Sequence, residues 1–282
     1  MSIIKVDKFV STEEIEVFRM FNREHYLKEL IASQGNHLIK IITGIRRCGK
    51  SFLLNDIFAT YLEKERKVNT KCIIKFAFDS DEDIALLDKY LPEQPTVKLV
   101  NGSKLINDRK FLLYIKEKTK ENGYYYLLFD EIQNLDEFVR VLNGFLRHNN
   151  YDIYVTGSNS KFLSSEIDTE FGGRSDRIHL LPLTFKEYFS QMSLDRHQAL
   201  DEYIRYGGIP LIQLQTNDER KVKQANSILN ETYIKDIKDR HKNININILQ
   251  DTLKVIGSMI STPINPTKIE CQSRFNFVTF SR

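Results

Sequence analysis

Gly44-Ile45-Arg46-Arg47-Cys48-Gly49-Lys50-Ser51 fits the pattern G-x-x-x-x-G-K-[ST], and each part of that spacing answers a need of phosphate chemistry. Glycines let the backbone close around phosphate oxygens with no Cβ in the way. Successive backbone N–H groups and the start of a following helix then converge on the anion. Lys50 is spaced to reach the β- and γ-phosphates, and the Ser51 hydroxyl to ligate Mg2+. The expected nucleotide contacts run through Gly44, Arg46, Arg47, Cys48, Gly49, Lys50, Ser51 and Phe52, with ATP and Mg2+ as the cofactors. For Arg46 and Arg47, solvated side chains compete with a phosphate or partner contact. Cys48 reads as a small loop residue.

A second constellation is Tyr124-Tyr125-Tyr126-Leu127-Leu128-Phe129-Asp130-Glu131, an apolar strand that delivers an acidic pair at its end. In a parallel sheet that end is where ligands bind. Asp130 would support the metal, and Glu131 would accept the proton of an attacking water. The competing reading is a helix start, where acidic residues suit the dipole. The third constellation, Val155-Thr156-Gly157-Ser158-Asn159-Ser160, also closes a strand. A polar side chain there, Asn159 with Ser158 in reserve, could orient the water. Its competing reading is an ordinary turn.

The elements around these residues alternate in period. Leu38–Thr43 reads as a buried strand running into the loop, and from Lys50 the pattern turns helical, with Phe52, Leu53, Leu54, Ile57, Phe58, Tyr61 and Leu62 on one face. Further strands are expected at Cys72–Phe78, Tyr124–Phe129, Ile153–Val155 and Arg177–Leu183. Helices are expected over Leu105–Glu121 and around Phe138, Val141, Leu142 and Phe145. Strands alternating with helices predict an α/β fold, a P-loop NTPase core whose parallel sheet is flanked by helices. Thr184 and Glu187 have the spacing of a capping box. Beyond residue 190 the pattern is helical over Leu194–Tyr206 and Glu219–His241 and onward to about Ile260, with Gly207-Gly208 as a stop. The predicted organisation is an ATPase core over 1–190 and a smaller helical C-terminal domain over 191–282.

Composition narrows the field. Lysine plus arginine exceed aspartate plus glutamate by 41 to 38, a +3 balance that neither demands nor excludes nucleic acid. No signal-peptide pattern and no long apolar run occur, so no membrane partner is expected and the location is expected to be cytoplasmic. Cys48, Cys72 and Cys271 lie far apart without metal-ligand spacing.

The series G-x-R-R-x-G-K-S, LLFDEIQ, TGSNS, F-G-G-R, PLTFKEY and Y-G-G-I-P resembles a group of prokaryotic AAA+-related ATPases from about Tyr26 to Ile260. The resemblance implies a P-loop core, a helical and winged-helix-like segment, and a nuclease-like C-terminal domain. It implies that Arg174 serves as an arginine finger on a neighbouring subunit of a homo-oligomer, against an ion-paired surface role. It implies that Pro210 lies near adenine, against a plain helix stop. Past Ile269 the resemblance should continue for a further domain; here ECQSRFNFVTFSR follows, so the winged-helix-like segment is expected to be truncated and the nuclease-like domain missing. The alternating Phe275, Phe277, Val278 and Phe280 are expected to lack a pairing partner. The expected activity is Mg-dependent ATP binding and hydrolysis to ADP and phosphate coupled to a conformational change, with a protein client as a further partner. The alternative is a nucleotide-gated switch or binding module with negligible turnover. A GTPase is disfavoured by the lack of an N-K-x-D motif.

Overall fold

A computed structural model describes residues 21, 23–100, 103–157, 166–234, 237 and 245–258. The chain divides into two compact units, Met1–Leu214 and Gln215–Arg282.

The first unit is organised by a five-stranded sheet of order β2-β5-β6-β1-β7, with β1 Ile39–Thr43, β2 Ile73–Ala77, β5 Tyr125–Asp130, β6 Tyr151–Thr156 and β7 Ser175–His179. Every pairing in it is parallel. Parallel strands must be buried on both faces, and the sequence meets this with near-continuous apolar runs. Alternation sends Ile39, Ile41, Leu127, Phe129, Ile153 and Val155 to one core and Ile42, Tyr126, Leu128 and Tyr154 to the other.

The first core is closed by α4, Asp108–Lys118, through Phe111, Tyr114 and Ile115, and by α5, Phe138–Phe145, through Val141, Leu142 and Phe145. The second is closed by α1, Glu24–Ala32, through Tyr26 and Leu30, and by a continuous helical run over 50–64, α2. That run is α-helical at Lys50–Phe52, π-helical at Leu53–Phe58 and α-helical again at Ala59–Lys64. Its π segment brings Leu53 and Phe58, five apart, onto the same buried face. Each such side chain stabilises by about 1.5–3 kcal/mol when buried.

One buried residue in β1 is charged. Lys40 is fully buried and ion-pairs with Asp152, whose carboxylate also accepts from the Tyr154 hydroxyl at 3.0 Å and the Gly35 N–H at 3.1 Å.

Between β2 and α4 the chain departs from expectation. A short helix, α3 Asp81–Ala85, is followed by a two-stranded antiparallel ribbon, β3 Val97–Val100 with β4 Ser103–Ile106. Leu105 and Ile106 were expected to open a helix; they pair instead with Lys98 and Val97, and the helix starts at Asp108 because the Asn107 side chain caps it, accepting from the Arg109 N–H at 3.1 Å. The ribbon base is fastened to the loop after β5. Asp136 N–H donates to Ile106 O at 2.9 Å, and Lys98 Nζ bridges Asp108 at 3.3 Å and Asp136 at 3.2 Å.

The chain continues from α6, Glu166–Phe171, through β7 to α7, Phe185–Phe189, which opens on the expected capping box of Thr184 and Glu187. α8, Arg196–Tyr206, ends at Gly207, and α9, Pro210–Gln213, carries Pro210 in its first turn, where the missing N–H costs nothing. In the second unit α10, Asp218–Ser227, runs on into a π-helical stretch, Ile228–Ile234, and α11 covers Ile246–Ser258. Among the described residues beyond 190 there is no strand, as the pattern implied. The apolar stripe at 275–280 lies outside the described residues.

Candidate functional site

Because the sheet is parallel, Thr43, Ala77, Asp130, Thr156 and His179 all end their strands at one edge, where the glycine loop and the acidic pair lie. The loop after β1 turns on two glycines held for different reasons. Gly44 has φ 147°, and a Cβ there would come within 2.3 Å of Leu180 O, so the backbone of the segment after β7 leaves room for glycine alone. Gly49 has φ 98° and nothing within 4 Å of its Cβ position. Conformation rather than crowding selects glycine there, and the open space beside the amide is what a phosphate cradle requires.

Lys50 is 4% exposed, and its ammonium donates to Gly44 O and Ile45 O, both at 3.1 Å. It therefore lies over the mouth of its own loop. Cys48 is fully buried with its side chain packed towards Gly44; burial pushes its thiol up, opposed by the charges of Lys50 and Arg23. Arg46 and Arg47 are exposed, and Phe52 is half-buried on α2.

Ser51 meets Asp130 across the edge. Asp130 is 5% exposed, and burial pushes its carboxyl up; hydrogen bonding from Thr156 and Ser51 pulls it back, while Glu131 and Asp79 push it further up. Thr156, fully buried at the end of β6, clamps the acidic pair: its Oγ1 donates to Asp130 Oδ1 and accepts the Glu131 N–H at 2.9 Å. Glu131 itself has left-handed backbone, φ 51°, ψ 49°, so the chain turns sharply as it leaves β5. Gln133 Nε2 donates to Glu131 Oε2.

Asp79, just past β2, completes the rim. Partial desolvation pushes its carboxyl up and Glu131 adds to that, while Arg46 and Arg47 pull it down. The two loop arginines thus face carboxylates as well as water. Asp79, Thr156 and Gln133 were not among the residues singled out from sequence. The signal for Asp79 was available, since CIIKFAF is an apolar strand ending in an acid, as YYYLLF is.

The Gly207-Gly208 step that precedes Pro210 is tied to the segment that follows β7. Leu180 N–H donates to Thr43 O at 2.8 Å, and three residues on Leu183 N–H donates to Gly208 O at 2.7 Å. A Cβ on Gly208 would meet Leu183 O at 2.2 Å, so the Gly-Gly step is a close backbone approach that seats buried Pro210 beside the segment lining the loop. Arg174 is elsewhere. Its carbonyl accepts the Ile39 N–H at 3.0 Å, which puts it at the opposite edge of the sheet, a full strand length from Gly44. There its guanidinium is exposed and donates from Nε to Phe171 O at 3.0 Å. It cannot reach the loop of its own chain. Asn159 and Ser158 lie outside the described residues. No helix among the described residues is long and apolar enough to cross a membrane.

A family profile described as an AAA domain matches residues 36–189, and one described as a domain of unknown function matches residues 197–282. An uncharacterized protein of Haemophilus influenzae is 29% identical over 255 residues, which are 89% of this chain and 58% of that protein. An uncharacterized protein of Methanocaldococcus jannaschii is 29% identical over 288 residues, 94% of this chain and 57% of that protein. The chain thus spans less than two thirds of either relative's length. Among solved structures, AMPPCP-bound DnaA from Aquifex aeolicus matches at 15% identity with a TM-score of 0.45, over 90% of this chain and 76% of that one. Aeropyrum pernix ORC1 in complex with DNA matches at 11% identity and 0.44, over 92% and 78%.

Proposed function

The chain belongs to the AAA family of P-loop ATPases, and we propose that it binds Mg·ATP at the loop 44–51 and hydrolyses it to ADP and phosphate, coupling turnover to a conformational change. The observation that supports this reading is Ser51 set against the buried Asp130 carboxylate beside a loop whose own carbonyls accept from the buried Lys50 ammonium. The residues present fit Mg·ATP: an open amide cradle at Gly49, a buried ammonium, and a hydroxyl beside a carboxylate.

In this reading the backbone amides of the loop and Lys50 bind the phosphates, and Ser51 and Asp130 hold the metal. Mg2+ supplies neutralisation of charge on the phosphate oxygens. Glu131 accepts a proton from water as its oxygen bonds to the γ-phosphorus and the bond to the β–γ bridging oxygen breaks. Thr156 holds the Asp130 carboxylate and the Glu131 backbone. Asn159 orients the water and Pro210 lies near adenine. Arg174, unable to reach its own loop, acts on a neighbouring copy in a homo-oligomer. Residues 1–190 form the ATPase core and 191–282 the lid, acting on a client protein in the cytoplasm.

The test is Glu131→Gln. It keeps size and hydrogen bonding but removes the basic carboxylate, so Mg·ATP affinity should hold while phosphate release falls roughly 10²–10⁴-fold, about 3–5 kcal/mol of barrier. Turnover within a few-fold of wild type would remove Glu131 as the base. Negligible phosphate release by the wild type itself would make the chain a nucleotide-gated switch.

A further inference from the structure

Arg23 lies outside every motif discussed so far, yet its side chain is built into the underside of the loop. It is 3% exposed, and its backbone is left-handed, φ 46°, ψ 41°. The guanidinium gathers three segments distant in sequence. Nη1 donates to Glu187 Oε2 at 3.1 Å; Nη2 donates to Leu181 O and stands 3.5 Å from Cys48 O. Its carbon lies 4.9 Å from the centre of the Tyr26 ring, and the Tyr26 hydroxyl accepts the Leu181 N–H at 3.1 Å. Nε is buried without a partner. A buried cation on strained backbone persists only where the surroundings over-determine it.

The Cys48 contact has a consequence for the neighbouring peptide. A trans peptide is planar, so its C=O and N–H point in opposite directions. A cation on the Cys48 carbonyl therefore fixes which way the Gly49 N–H points, and strengthens that N–H as a donor. Gly49 needs an outside restraint more than other residues do. Glycine populates both signs of φ with similar ease, and nothing lies within 4 Å of its Cβ position to hold it.

We propose that Arg23 is a positioning residue for the phosphate cradle: it holds the Cys48–Gly49 peptide so that the Gly49 amide faces the nucleotide. Its anchors at Leu181 and Glu187 make that alignment depend on the seating of the segment that opens α1. Loss of this seating turns the amide away and weakens nucleotide binding without touching Lys50, Ser51 or Asp130. The inference rests on the nucleotide-binding reading given above.

The test measures Mg·ATP and Mg·ADP affinity by calorimetry, and the unfolding midpoint without nucleotide, for wild type, Arg23→Ala, Arg23→Lys and Glu187→Ala. Arg23→Ala should weaken both nucleotides about tenfold or more, the scale of one charge-assisted hydrogen bond. Glu187→Ala removes the ion pair but leaves both carbonyl contacts, so it should lower the midpoint while keeping affinity within about threefold. Arg23→Lys keeps the charge without the fork and should fall between them. Unchanged affinity in Arg23→Ala would overturn the proposal. So would an equal loss in Glu187→Ala, which would reduce Arg23 to general stability. Should Arg23→Ala not fold, Arg23→Lys decides against Glu187→Ala: a greater affinity loss in the lysine variant supports the proposal, and an equal or smaller one overturns it. A wild type that binds no nucleotide would instead sink the function reading, and this inference with it.

Discussion

Thr156→Val isolates the clamp on the acidic pair. Valine keeps the shape of threonine, so no cavity opens; what is lost is one hydroxyl that makes two bonds in a fully buried position. The donor to the Asp130 carboxylate is charge-assisted, worth about 1.5–3 kcal/mol, and the Glu131 N–H left without its acceptor costs about 1–3 kcal/mol. A deficit of roughly 3–5 kcal/mol is expected, a large share of the 5–15 kcal/mol of a typical domain. The two parts separate by pH. Burial already raises Asp130 above its unfolded value, and Thr156 pulls it back. Removing Thr156 raises it further. A group so raised supports the fold below its unfolded pKa and loses that support as pH rises through its folded pKa. The variant's deficit should therefore be largest near neutrality and shrink on acidification, down to the pH-independent amide part. Urea unfolding of both proteins in neutral and mildly acid buffer measures this as a shift in midpoint with unchanged slope. A neutral-pH deficit below about 1 kcal/mol, or one that grows with acid, would refute the clamp.

Gly44→Ala should destabilise by about 2 kcal/mol or more, since its Cβ would fall 2.3 Å from Leu180 O, a backbone atom that cannot turn aside; a denaturation midpoint equal to wild type would contradict this. Lys50→Ala should abolish Mg·ATP affinity with the fold intact, and calorimetry showing unchanged affinity would remove the loop as the site. If Arg174 acts on a neighbouring copy, wild-type specific activity should rise with protein concentration and Arg174→Ala should flatten the rise; activity independent of concentration in the wild type would count against it.

The parallel sheet and its two cores were legible because β1, β5 and β6 are mostly apolar and the glycine loop and acidic pair sit at strand ends, where period and chemistry coincide. Lys40 shows the limit. Within LIKIIT it looks like an interruption, and only Asp152, more than a hundred residues away, makes it a core residue. The β3–β4 ribbon is hidden because Leu105 and Ile106 suit a helix locally, while the residues that claim them, Lys98 and Val97, lie in a separate stretch of sequence. Thr156 lies in the same motif as Asn159 and Ser158 but is not singled out, since a hydroxyl that bridges two carboxylate-bearing residues has no spacing signature. Arg23 carried no signal at all; its three acceptors come from two loops and a helix start that meet only once the sheet is formed.

The β3–β4 ribbon is an arm whose base is fastened to the chain that follows the acidic pair. Leu135, four residues after Glu131, bridges to Ile106 at the ribbon's base, and Lys98 pins the neighbouring Asp108 and Asp136. Strands of four residues reach roughly 14 Å at about 3.4 Å per residue, and they carry Leu99 outward with 74% of its surface in water. The ribbon thus holds an exposed apolar side chain out in water on a base that is tied, through Leu135, to the stretch of chain that follows Glu131.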